Sequence, residues 1–127
     1  MAPLHPPGPP ALVALDPGTR KVGVCVLDAR GTVLERAVVT PATVATLLER
    51  YATLPLAVGR GTGVLDLPPD RLILWVDESG STAEGRARWR KRYPLLAFFE
   101  VFGYNPPSDA WAAEVIGLRA LSELPFR

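Results

Sequence analysis

Three apolar runs follow one another near the start of this chain, Ala11–Asp16, Val22–Asp28 and Val33–Val39, with only turn chemistry between them. The first gap opens on Pro17-Gly18 and the second is built on Ala29-Arg30-Gly31. A parallel crossover needs about a dozen residues, so the runs read as an antiparallel meander with tight turns. The third carries Glu35 and Arg36 and is the more polar, as an outer strand would be.

Beyond residue 40 the period changes. Thr40-Pro41 reads as an N-cap and first helical residue, opening a helix to about Tyr51 with Val44, Leu47 and Leu48 on one face. Leu56–Gly59 is a short fourth strand, Arg60–Asp70 a connection rich in Gly and Pro, and Leu72–Val76 a fifth strand, apolar throughout. Continuous apolar strands suit a sheet covered on both faces. Ser81-x-x-Glu84 has the form of a capping box for a helix towards Arg92. Leu95–Phe102 reads as a short buried helix, and Ser108 starts a last helix to about Leu124. The expected fold is α/β: a mixed five-stranded sheet, three antiparallel strands followed by parallel ones, with helices on both faces.

At 127 residues the chain makes one domain. It is expected to span 11–127, behind a Pro-rich flexible tail at 1–10 that contains five prolines. The formal net charge is +1, so attraction to nucleic acid must come from a local patch. Cys25 is the lone cysteine and falls inside an apolar strand, which excludes an internal disulfide and a Cys-rich zinc module. The sole histidine, His5, lies in the tail, which excludes a His-based triad or His-rich metal site. The start lacks the pattern of a signal peptide and no apolar run approaches a membrane span, so the chain reads as cytoplasmic with no membrane partner.

The chemistry lies in carboxylates. Asp16 ends an apolar strand before Pro17-Gly18, and is either a turn-forming residue or an acid delivered from the core to a sheet edge. Asp77-Glu78 repeats the pattern ahead of Ser79-Gly80, either as a solvated strand end or as a second acidic site; neighbours on a strand face opposite ways. Asp109 stands at the start of the last helix, in line with Ala112, Ala113, Ile116 and Ala120. It is either a favourable acid in a first turn or a carboxylate aimed at the sheet. Three clustered carboxylates repel unless a cation joins them, and Mg²⁺ or Mn²⁺ suits oxygen donors. Two such ions can activate water on a phosphodiester with no protein base.

In these residues the chain resembles the YqgF/RuvX family, Holliday-junction resolvases also described as pre-16S rRNA processing nucleases. Three ordered blocks carry the resemblance: Asp16-x-Gly18-Thr19-Arg20-Lys21-Val22-Gly23-Val24, Asp77-Glu78-x-x-Ser81-Thr82-x-Glu84-x-Arg86, and Asp109-Ala110-x-Ala112-Ala113-x-x-Ile116. The resemblance covers about residues 12–122. It implies an RNase H-like fold and a nuclease dependent on Mg²⁺ or Mn²⁺, with Asp16, Glu78 and Asp109 as catalytic metal ligands and Asp77 as a helper. It implies RNA or branched DNA as partner, and a homodimer if junctions are cut symmetrically. Two departures point to the alternative, a catalytically impaired nucleic-acid-binding relative. Ser79 stands where the family has Arg, and the connection at 60–70 lacks the helix that follows the family's fourth strand.

Candidate nucleic-acid contacts are Arg20 and Lys21 beside Asp16, Arg60 in the Gly59–Gly63 loop, and Arg86 and Arg90 on a helix that also carries Arg88, Lys91 and Arg92. That basic helix reads either as a phosphate-binding face, with Trp89 and Tyr93 stacking on bases, or as a solvated helix end. Trp75, Trp111 and Phe98, Phe99 and Phe102 read as core.

Overall fold

The structure, a computed structural model, describes residues 6–18, 20–60, 65, 67–76, 81–93 and 108–122, with only the backbone course of residues 81, 82, 108 and 109. Strands β1 (Pro10–Pro17), β2 (Val22–Asp28) and β3 (Val33–Val39) form the meander. Helix α1 (Pro41–Arg50), β4 (Leu56–Gly59), β5 (Ile73–Val76), α2 (Ser81–Arg92) and α3 (Ser108–Leu121) follow. The sheet order is β3-β2-β1-β4-β5, antiparallel among β1, β2 and β3 and parallel from β1 through β4 to β5. This is the expected α/β layout. The expected helix at Leu95–Phe102, its phenylalanines and the end of the last helix beyond Ser122 lie outside the described residues.

Strand alternation sorts the core into two faces. Val13, Leu15, Val24 and Val58 point one way and meet Val44, Leu47 and Leu48 of α1. Leu12, Ala14, Cys25, Leu27 and Ala57 point the other way and meet Ala113, Ile116 and Ala120 of α3. The second contact is close because its residues are small. At Gly117 a Cβ would lie 2.5 Å from a Leu27 methyl and 3.0 Å from Ala14 Cβ. The far end of α3, at Leu118 and Leu121, reaches the β2–β3 turn at Gly31. Its first turn therefore points away from that turn, towards the end of the sheet where β1 finishes.

Polar contacts close the edges. Thr40 occupies the N-cap of α1 but makes no side-chain cap bond; its hydroxyl pairs instead with that of Thr43 at 2.8 Å. Arg71 gathers the carbonyls at the other end of α1, donating to Tyr51 O at 2.7 Å and to Leu54 O at 2.5 and 3.0 Å. On β3, Glu35 accepts from Arg50 Nη2 at 2.8 Å and from the Tyr51 hydroxyl at 2.7 Å. The end of the Pro-rich tail joins the sheet: Gly8 N–H donates to Asp28 at 3.0 Å, and Pro10 opens β1.

One core assignment is corrected. Trp75 is 52% exposed. It pairs with Val58 on the α1 face, but β5 is the outer strand, and among the described residues the connection from β4 brings Leu65 and Leu67 to that face. Leu72 beside it is also exposed.

Candidate functional site

Asp16 is half-buried near the end of β1, paired across to Gly23 of β2. It continues the alternation of Leu12 and Ala14, so it belongs to the face covered by α3. Register carries this position across the parallel strands. Leu15 pairs with Val58 and Val58 with Trp75, so the next row runs from Asp16 to Gly59 and Val76. At ~4.8 Å per strand, the chain leaves β4 and β5 about 5 and 10 Å from Asp16. Asp77 and Glu78 follow Val76 directly in the chain, but both lie outside the described residues. Among the described residues no three His, Cys, Asp or Glu side chains are grouped to hold a metal ion.

The turn after Asp16 is tight. Gly18 N–H donates to Lys21 O at 2.9 Å, and a Cβ at Gly18 would sit 2.6 Å from that same oxygen. A side chain there would force the turn open, so glycine is required by close approach. The turn leaves Arg20 and Lys21 exposed. Arg60 is exposed on leaving β4, its N–H bonded to Val76 O at 3.2 Å. Three predicted phosphate contacts thus share the sheet end that holds Asp16.

Residue 109 lies in the first turn of α3, on the stripe that Ala113, Ile116 and Ala120 continue, and at the helix end away from the β2–β3 turn. Eight residues of helix span about 12 Å, so the backbone at 109 lies well beyond Gly117, where α3 crosses Ala14.

The basic helix divides. Arg86 is half-buried, and its Nε is shielded from solvent with no hydrogen-bond partner among the described residues. Arg90 is exposed. Trp89 is 2% exposed, which overturns its expected role in base stacking. Helix α2 packs on α3, where a Cβ at Gly85, one turn before Trp89, would lie 2.7 Å from the backbone of Trp111 and Ala112. Tyr93 is partly exposed and meets the Trp111 ring edge-on at 6.2 Å between centroids. Trp111 is buried, as expected.

Sequence reasoning missed one cluster. Glu114 of α3 is 1% exposed and accepts from Arg36 Nε at 3.1 Å, from Arg36 Nη2 at 2.5 Å and from Arg88 Nε. Arg36 lies over the Trp111 ring, 3.8 Å from its centroid. The partners come from three elements far apart in the chain, so no local pattern signals them. Cys25 is buried nearby. Burial, and then the Glu114 charge, push its thiol up to about 12 against the pull of Arg36 and Arg88, so it is a neutral core residue and not a nucleophile.

Compared with known proteins, the chain matches no family model and no curated protein.

Proposed function

We propose that this domain is an RNase H-like nuclease, dependent on Mg²⁺ or Mn²⁺, that hydrolyses phosphodiester bonds in structured RNA or branched DNA. One observation carries the reading. A half-buried carboxylate, Asp16, stands at the end of the central strand, beside exposed Arg20, Lys21 and Arg60. A phosphodiester needs both features, cations to seat it and acid to organise charge at phosphorus.

The donor set is Asp16, Glu78 and Asp109, with Asp77 as helper. It is all oxygen, which fits Mg²⁺ or Mn²⁺ rather than zinc. When bound, such ions would make water nucleophilic at neutral pH and neutralise charge on the departing oxygen. Arg20, Lys21 and Arg60 would orient the scissile phosphate. Arg86 Nε, shielded and without a hydrogen-bond partner among the described residues, supports an anionic ligand along α2, because a shielded donor without an acceptor is costly.

A second reading, a nucleic-acid-binding relative impaired in catalysis, is favoured by the β4–β5 connection. Among its described residues the connection holds no helix of the kind the resemblance implies, and Trp75 is 52% exposed. End-labelled single-stranded RNA, duplex RNA and a four-way DNA junction, incubated with Mg²⁺, Mn²⁺ or EDTA, separate the two. Metal-dependent cleavage lost in Asp16→Asn supports the nuclease. Binding without cleavage supports the impaired relative.

A further inference from the structure

An open cleft of about 620 Å³ lies between β3, α2 and α3, away from the end of the sheet that holds Asp16. Its floor is the cluster around Glu114. One carboxylate there meets two guanidiniums, and both of its oxygens are taken. The pair of arginines therefore holds a surplus positive charge. Neither arginine is used up by the carboxylate. Each guanidinium has five donors; Arg36 directs Nε and Nη2 at Glu114, and Arg88 directs Nε alone. The two side chains are 32% and 45% exposed. Their remaining N–H groups are held in place by a buried acid and, for Arg36, by the Trp111 ring.

Lys91 and Arg92, exposed in the last turn of α2, line the same cleft. The other acid in the lining, Glu84, is 3.8 Å from Arg119. Four cations against two carboxylates make a local positive patch on a chain whose formal net charge is +1.

We infer that this cleft binds the phosphodiester backbone of a nucleic-acid strand, at a second site separate from the carboxylates. The choice of this occupant rests on the nuclease reading. Pre-positioned guanidiniums suit phosphate oxygens. Arg36 covers one face of the Trp111 ring and the residue is only 6% exposed, so the described lining offers no ring to a base and contact is with the backbone. The cleft is also on the correct side of the sheet. Arg36 pairs with Cys25 and Cys25 with Ala14, on the face that Asp16 shares. Two strands across and two residues along put Arg36 about 12 Å from Asp16 at Cα. One strand of nucleic acid can span that distance.

The test is fluorescence anisotropy of a labelled single-stranded RNA with the full chain in EDTA, over a series of salt concentrations. Lys91→Glu with Arg92→Glu removes two exposed cations and leaves the Glu114 cluster intact; thermal melting checks that the variant is folded. Affinity is expected to fall at least about tenfold at low salt. The slope of log K against log salt should shrink by about 1.4, as for two lost phosphate contacts on a single strand. Arg30→Glu, exposed at the β2–β3 turn, is the charge control and should change affinity less than about twofold. Unchanged affinity and slope in the double variant overturn the inference, as does an equal loss in Arg30→Glu. So does a wild-type chain that ignores RNA and binds poly-glutamate instead. Adding Mn²⁺ separates the two claims. Binding that needs Lys91 and Arg92 but never leads to cleavage sinks the nuclease and keeps the cleft. Cleavage by a protein whose binding ignores both residues does the reverse.

Discussion

Asp16 and Asp28 stand at the ends of two neighbouring strands at opposite ends of one sheet, each followed by a turn containing glycine, yet their surroundings differ. Asp28 is 2% exposed. Its two oxygens accept from Gly8 N–H at 3.0 Å and from Arg30 and Thr32 N–H at 2.9 Å each. That carboxylate is part of the fold: it holds the turn and ties the tail to the sheet. The turn after Asp16 carries the backbone bond from Gly18 N–H to Lys21 O, and the acid is half-buried beside exposed Arg20 and Lys21. The two acids thus differ in burial: backbone amides close over Asp28, while Asp16 keeps part of its surface open at the sheet end.

The sharpest way to break this contrast is to neutralise each acid. Asp16→Asn should reduce metal-dependent cleavage by more than about 100-fold, beyond the loss typical of a residue that only supports a ligand. Its unfolding free energy should stay within about 1 kcal/mol of wild type by denaturant titration. A large loss of stability would put Asp16 in the same class as Asp28.

Asp28→Asn should do the opposite. An Asn amide cannot accept from both the turn and Gly8, so one N–H is left facing a donor. The expected loss is about 2 kcal/mol in urea unfolding. Cleavage per folded molecule should be unchanged, and the tail should become more open to proteolysis.

The same pair differs with pH. Burial alone would raise the Asp28 pKa, but the Gly8, Thr32 and Arg30 amides outweigh it and hold the carboxyl below its usual 3.8. A depressed folded pKa contributes stability above the unfolded value and loses it as pH falls through the folded one. The stability gap between wild type and Asp28→Asn should be full at pH 7 and narrow below about pH 4. A gap that does not change with pH would mean the charge plays no part.

The smallest effect is expected at Glu35, a third acid of the meander. The Tyr51 hydroxyl and Arg50 keep its pKa below the usual value against partial burial. With the clasp at an exposed edge, Glu35→Gln should cost about 0.5–1 kcal/mol, measured by thermal melting at low and high salt.

The meander and the helices were legible because their signals are local. Val22–Asp28 and Val33–Val39 stand where alternation and turn residues put them, and α1 buries the expected Val44, Leu47 and Leu48. The placement of Asp16 at a strand end was legible for the same reason. Tryptophan environments were not. Trp75 lies in an apolar run yet is exposed, because β5 is an outer strand and no described helix covers the α1 face there. Trp89 lies among cations yet is buried, one helical turn after Gly85, where α2 meets the backbone of α3.

By itself, the sequence determined which residues alternate and where the chain must turn, and it left carboxylates as the candidates for chemistry, since its single His and Cys are ill placed for other roles. Only the tertiary structure decided how Asp28 and Asp16 differ, and that Glu114 joins Arg36 and Arg88 beneath a basic cleft. The reason is physical. Turns and periodicity arise from neighbours in the chain, whereas the charge state and partners of a buried acid depend on groups as far away as 78 residues, brought close only when sheet and helices pack.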